Sequence, residues 1–170
     1  MLRFDVNKGQ TLRKRVYVET SIPSFYFETR TAPDMVARRN WTREWWGMID
    51  QFEAVTSEAV RYELERGMYP GKEKALKLIA TLPDIEMDSE IQDIITTYVS
   101  HQLMPANPLG DALHLALASY HSCDYLLTWN CQNIANPNKF THIRIINTML
   151  GLHVPELVTP YQMLEKTNEI

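Results

Sequence analysis

Asp124-Tyr125-Leu126-Leu127-Thr128, running straight into Trp129-Asn130, is the stretch that decides the fold. Its apolar run is too short for a helix and is bounded by polar residues, so it reads as a buried strand. Helical patterns flank it on both sides. Upstream, residues 111–121 carry Ala112, Leu115, Ala116 and Ala118 as a small-residue face. Downstream, residues 138–150 place Phe140, Ile143, Ile146 and Leu150 at helical spacing, with polar Asn147 off that face and Gly151 as the stop. A strand set between helices is the unit of an α/β sheet, and the alternation continues in both directions.

Toward the N-terminus, Val16-Tyr17-Val18 is another short buried strand, ending at Glu19-Thr20-Ser21 and stopped by Pro23. Residues 33–52 turn helical: Pro33 and Asp34 suit a first turn, and Trp41, Trp45, Met48, Ile49 and Phe52 share one apolar face. Ala54-Val55-Thr56-Ser57 reads as a strand, followed by a helix over 58–66 with Gly67 expected as its left-handed cap. Residues 71–80 form an amphipathic helix with Ala75, Leu78 and Ile79 inward. Ile85-Glu86-Met87 reads as a short strand, and Ser89-Glu90-Ile91-Gln92 has capping-box spacing and opens a helix to Leu103. Residues 105–110, PANPLG, are a loop; Leu157-Val158-Thr159 is a last strand and residues 161–166 a terminal helical turn. The expectation is an α/β fold with a mostly parallel sheet, one domain over 16–170, preceded by a flexible basic extension over 1–15.

The chain has 170 residues, with 17 Lys and Arg against 21 Asp and Glu and a net charge of −4. That length suits a single domain with a sizeable core. No apolar run reaches the roughly 18 residues of a membrane span. The N-terminus lacks the apolar segment of a signal peptide, so a cytoplasmic protein is expected. Cys123 and Cys131 are too few for a disulfide framework or a structural zinc site and are expected as reduced thiols. The mild acidity argues against binding driven by bulk positive charge. It is unevenly spread: residues 1–83 hold 14 Lys/Arg and 11 Asp/Glu, residues 84–170 only 3 and 10.

In a parallel sheet, ligands gather beyond the C-terminal ends of the strands. Glu19 closes the first strand, Glu63 lies in the helix after the second, Asp111 opens the helix after the PANPLG loop, and Asn130 follows the Leu126–Thr128 strand. Carboxylates converging on one cleft repel unless a cation neutralises them, and oxygen ligands suit Mg2+ or Mn2+. Each residue also has a plainer reading: Asp111 as a helix cap, Glu63 as a solvated helix residue, Asn130 as a turn residue. Glu19 is harder to set aside, because a carboxylate at the end of an apolar strand needs partners. His114, one turn from Asp111, reads either as a group near the site or as a polar residue beside a helix N-terminus. Trp41, Trp45 and Trp46 read as core or as a groove for a partner helix rather than as base-stacking rings.

The combination resembles the PIN domain, and within it the VapC-like toxins of bacterial toxin–antitoxin pairs. The resemblance runs from about Val16 to Thr159 and rests on VYVETS at 16–21, VTSEAVRYELERG at 55–67, LGDALHLALA at 109–118 and DYLLTWN at 124–130. It implies a three-layer α/β/α domain whose acidic positions map onto Glu19, Glu63, Asp111 and Asn130. Two of these depart from the family pattern. Glu19 stands where Asp is usual, and Asn130 where an acid is common, leaving three negative charges instead of four and implying weaker metal affinity.

What the resemblance implies is Mg2+- or Mn2+-dependent cleavage of RNA. Glu19, Glu63 and Asp111 are then the metal ligands, the metal activating a water for in-line attack. Thr20, Ser21 and Thr128 support the site, and Asn130 completes it or positions the phosphate. Arg30, Arg38 and Arg39 are candidates for the RNA backbone path. The implied partners are an antitoxin protein and a second copy of the chain. Two rivals stay open: a PIN-like module that binds RNA or protein without cutting, favoured by Asn130, and an unrelated phosphatase-like α/β enzyme.

Overall fold

A computed structural model describes residues 12–104, 110–131 and 134–168. Its centre is a four-stranded, all-parallel sheet of β1 (Arg15–Val18), β2 (Glu53–Val55), β3 (Tyr125–Leu127) and β4 (Glu156–Val158), in the order β2-β1-β3-β4. Tyr17 pairs with Val55 on one side and Leu126 on the other, and Leu127 pairs with Val158. Val16, Tyr17, Val18, Leu126 and Leu127 are fully buried, as central parallel strands covered on both faces must be.

The helices are α1 (Ser21–Tyr26), α2 (Pro33–Trp46), α3 (Glu58–Arg66), α4 (Lys72–Ile79), α5 (Glu90–Ser100), α6 (Gly110–Tyr120), α7 (Pro137–Met149) and α8 (Pro160–Asn168). From β1 the chain crosses to one side of the sheet and then returns past β1 to the other. Right-handed crossovers therefore put the β1–β2 helices and the β2–β3 helices on opposite faces. α2 lies against α1 and α8 and α5 lies against α6, while α1 also meets α4. Helices thus flank the sheet in the expected α/β manner.

Several boundaries differ from the sequence reading. The helix expected over 33–52 ends at Trp46; Gly47 follows, and a single 3-10 turn at Ile49–Gln51 swings the chain into β2. Gly67 is extended (φ −70°, ψ 150°) rather than left-handed, because the chain leaves α3 straight toward Pro70. Gly151, at φ 69°, does take the left-handed form after α7. Residues 85–87 are not a strand. Thr56 pairs instead with Asp84, and the Glu86 carbonyl accepts a 2.7 Å hydrogen bond from His121 Nε2. The capping box is not formed: Ser89 Oγ lies 3.2 Å from Glu90 Oε2, and α5 stops at Ser100, short of Leu103.

Asn147, expected off the apolar face of α7, is 0% exposed. Its amide donates to Ser119 Oγ and to the His153 carbonyl, both at 2.9 Å, and its Oδ1 accepts from Tyr98 Oη at 2.6 Å. This polar knot ties α5, α6 and α7 together under the sheet. Residues 1–11 of the expected extension and 105–109 of the expected loop lie outside the described residues; Leu12, Arg13 and Lys14 are exposed, and Arg15 already belongs to β1.

The two ends of the sheet are built differently. At the N-terminal end, Arg15 bonds Asp124 through its backbone N–H (2.9 Å), the His121 carbonyl (2.7 Å) and Glu53 (3.1 Å), joining β1, β2 and β3. At the other end every strand hands over to a polar residue: Glu19, Thr56, Thr128 and Thr159, all buried. Among the described residues no helix is long and apolar enough to cross a membrane.

Candidate functional site

Glu19 emerges from β1 into the gap between β1 and β3, and it is only 6% exposed. Its Oε2 accepts three hydrogen bonds: from Ser21 Oγ at 2.5 Å, Ser21 N at 3.0 Å and Thr128 Oγ1 at 2.8 Å. Ser21 Oγ in turn accepts from Trp129 N at 2.8 Å, and Thr128 Oγ1 from Asn130 N at 2.9 Å. The carboxylate is therefore fixed by neutral donors. Among the described residues, no Lys, Arg or His nitrogen comes within 4.0 Å of it. A buried carboxylate whose direct hydrogen bonds all come from neutral donors can take a cation, alongside the nearby His114 ring.

Glu63 reaches the same end of the sheet from α3. Its Oε2 accepts from Thr20 Oγ1 at 2.9 Å, and its Oε1 lies 2.7 Å from His114 Nε2. Thr20 and Ser21, adjacent in sequence, thus hold two different carboxylates. Burial opposes ionisation of Glu63, but the His114 bond and charge, with the Thr20 hydroxyl, outweigh it and hold the carboxyl below its ordinary range. Burial likewise opposes protonation of His114, and the bond to Glu63 overrides it, raising the imidazole above its ordinary value. Both shifts describe the same close pair.

Donor atoms of Glu19, Glu63 and His114 all lie within 4.8 Å of one another. Asp111 is not in that group. It is buried at the start of α6, with Oδ1 accepting from Asn130 Nδ2 at 2.9 Å. The two halves of the site still adjoin. A Cβ built on Gly110 would fall 2.8 Å from Glu63 Oε1, so the start of α6 rests directly on the Glu63 carboxylate. Of the four site residues expected from sequence, Glu19 and Glu63 come together, while Asp111 and Asn130 form a second pair beside them. Thr20, Ser21 and Thr128 are the hydroxyls that orient the carboxylates.

Two participants escaped the sequence reading. Tyr17 was legible only as strand core, yet its Oη lies 2.7 Å from His114 Nδ1 and 2.8 Å from Ser57 Oγ. A buried tyrosine hydroxyl requires a partner, which was the available signal, although not one that names His114. Gly110 carried no signal beyond its place in a loop.

The cationic candidates separate. Arg30 is a bidentate partner of Glu28, with both bonds at 2.8 Å, and Arg39 leans on Asn40. Arg38 lies over the rings of Phe25 and Trp129, 5.6 and 5.5 Å from their centroids. Arg38 thus packs on Trp129, the residue between Thr128 and Asn130. The tryptophans are structural: Trp45 is core, Trp41 stacks on Trp129, and Trp46 meets Trp45 and Tyr26 edge-on. Cys123 is buried, which pushes its thiol up to about 12, and Cys131 is exposed; both are free.

No protein-family model matches the chain, and no curated protein matches it.

Proposed function

We propose that this chain is a metal-dependent ribonuclease of PIN type, acting as the toxin of a toxin–antitoxin pair in the cytoplasm. The observation that carries the reading is the buried Glu19 carboxylate, hydrogen-bonded by neutral donors and set beside Glu63 and His114 at the C-terminal ends of parallel strands. Its oxygen donors suit Mg2+ or Mn2+. Glu19 and Glu63 would hold the ion, with Asp111 contributing from the adjoining pair. The ion, when bound, supplies Lewis-acid activation of water and neutralises phosphate charge. The chain's own contribution is orientation: Ser21 and Thr128 fix Glu19, Thr20 and His114 fix Glu63, and Asn130 fixes Asp111. Arg38, seated on the Phe25 and Trp129 rings, would offer a planar cation to the RNA backbone.

Purified protein should cut RNA with Mg2+ or Mn2+ and stop with EDTA, and Glu19→Gln and Asp111→Asn should each lose most of that activity. Undiminished cleavage by Asp111→Asn would remove this reading. A second reading, a PIN-like module that binds RNA or protein without cutting, is favoured by the Asn130 amide on Asp111, a neutral group where a fourth charge would strengthen cation binding. Cleavage by the natural chain eliminates that module; cleavage by Asn130→Asp alone establishes it.

A further inference from the structure

His114 is 1% exposed and hydrogen-bonded at both ring nitrogens. The Glu63 carboxylate, when ionised, can only accept, so His114 Nε2 carries a hydrogen and donates to Oε1. On the far side, Nδ1 meets Tyr17 Oη at 2.7 Å, and Tyr17 Oη meets Ser57 Oγ at 2.8 Å; Tyr17 and Ser57 are fully buried. A line of hydrogen bonds therefore runs from the end of β2, through a side chain of β1 and one of α6, to a carboxylate on α3.

Stability alone does not call for this line. A buried charged pair replaced by well-packed apolar groups is often no less stable, and a phenylalanine fills the space of Tyr17 without needing a partner. What the line accomplishes is orientation. The Glu63 side chain is about a third exposed, has three rotatable bonds, and would otherwise turn freely toward solvent. With His114 on Oε1 and Thr20 on Oε2, each carboxylate oxygen keeps one lone pair for a cation.

We propose that His114 and Tyr17 are positioning residues: a buried strut, Ser57–Tyr17–His114, that aims the Glu63 carboxylate at a divalent cation, with His114 itself not a ligand. The inference rests on the metal-binding reading of Glu19 and Glu63.

The test is Mn2+ binding to the full chain, read by electron paramagnetic resonance, in the natural protein, Glu63→Gln, His114→Gln and Tyr17→Phe, with cooperative melting confirming each fold. Glu63→Gln should lose binding. His114→Gln and Tyr17→Phe should weaken it by about 10- to 100-fold, the usual effect of removing a group that orients a ligand. His114→Gln should be the milder, since a glutamine amide can still donate to Glu63. Natural affinity in both folded variants overturns the strut. Loss in His114→Gln as complete as in Glu63→Gln, with Tyr17→Phe unaffected, makes His114 a ligand and also overturns it. Absence of Mn2+ binding by the natural protein removes the metal reading itself, a different result from unaffected variants. Nitrogen-15 NMR of the natural protein decides independently of variant folding. The His114 Nε2–H signal should persist when Mg2+ is added, and its loss would refute the proposal.

Discussion

Asn130 Nδ2 donates a 2.9 Å hydrogen bond to Asp111 Oδ1, closing the space between the end of β3 and the start of α6 with a neutral amide. Replacing that amide by a carboxylate turns the attraction into a like-charge contact. Asn130→Asp should therefore lose about 1–3 kcal/mol of stability in EDTA, the scale of a lost bond to a charged acceptor plus repulsion. Mg2+ should restore most of it. Melting curves with and without Mg2+ check this, and equal midpoints in the two conditions would contradict the pairing.

Gly110 gives the second prediction. A methyl group there would meet Glu63 Oε1 at 2.8 Å. The carboxylate, being the end of a side chain, can swing away without moving the backbone, but it then leaves Thr20 and strands the buried His114 N–H, at a cost of about 1–3 kcal/mol. Gly110→Ala should reduce RNA cleavage by about tenfold or more, as misplacement of a reacting group by an ångström does. The melting temperature should fall by a few degrees. Full activity would mean that Glu63 does not need its present orientation.

Asn147 provides the opposite case, a stability residue away from the carboxylates. Asn147→Leu strands the Tyr98 and Ser119 hydroxyls in the core and should cost about 2–4 kcal/mol in urea unfolding. Metal affinity of the folded protein should not move. A shift in Mn2+ affinity would show that the α5–α6–α7 knot reaches the site.

Acid stability should report Glu28. The hydrogen bond from Arg30, with its charge, holds the Glu28 carboxyl at about 2, below its ordinary 4.5. A depressed folded-state value contributes stability that is complete above the ordinary range and fades as pH falls through it toward about 2. Arg30 is exposed, so solvent screening keeps the contribution of this pair small. Glu28→Gln should flatten that part of the stability profile between pH 5 and pH 2.5, in the same measure as salt does. An unchanged slope in the variant would assign the acid sensitivity elsewhere.

Much of this architecture was readable in advance because parallel strands and their crossover helices carry strong local patterns. Val16–Val18 and Tyr125–Leu127 announce buried strands by composition, and the polar residues after them announce the functional end of the sheet. Helix ends were less legible. Gly67 looks like a left-handed cap, but its conformation is set by where the chain must go next, which is a tertiary matter. Residues 85–87 have strand composition, yet the pairing there is a single bridge from Thr56, just past β2, to Asp84, immediately before them. Asn147 was misplaced because periodicity treats a polar residue as outward, whereas three partners from distant segments let it lie inside. In the candidate site, position at the strand ends and a family resemblance singled out Glu19, Glu63, Asp111 and Asn130 as expectations. They could not say that these divide into two adjoining pairs, because that division depends on which hydroxyl and which ring meet each carboxylate.

Arg15, at the opposite end of the sheet, gives the arrangement a further meaning. There the strands are gathered partly by an ion pair with Glu53, both side chains more than a third exposed, which dissolved salt screens. The Glu19 carboxylate is held by hydroxyls and a peptide N–H in a buried setting, where ionic strength has little leverage. Attraction of a polyanion to the basic first half weakens steeply with salt. On the proposed ribonuclease reading, capture of RNA would weaken as salt rises while the hydroxyl-held Glu19 would stay in place, so the two would answer to different properties of the solvent.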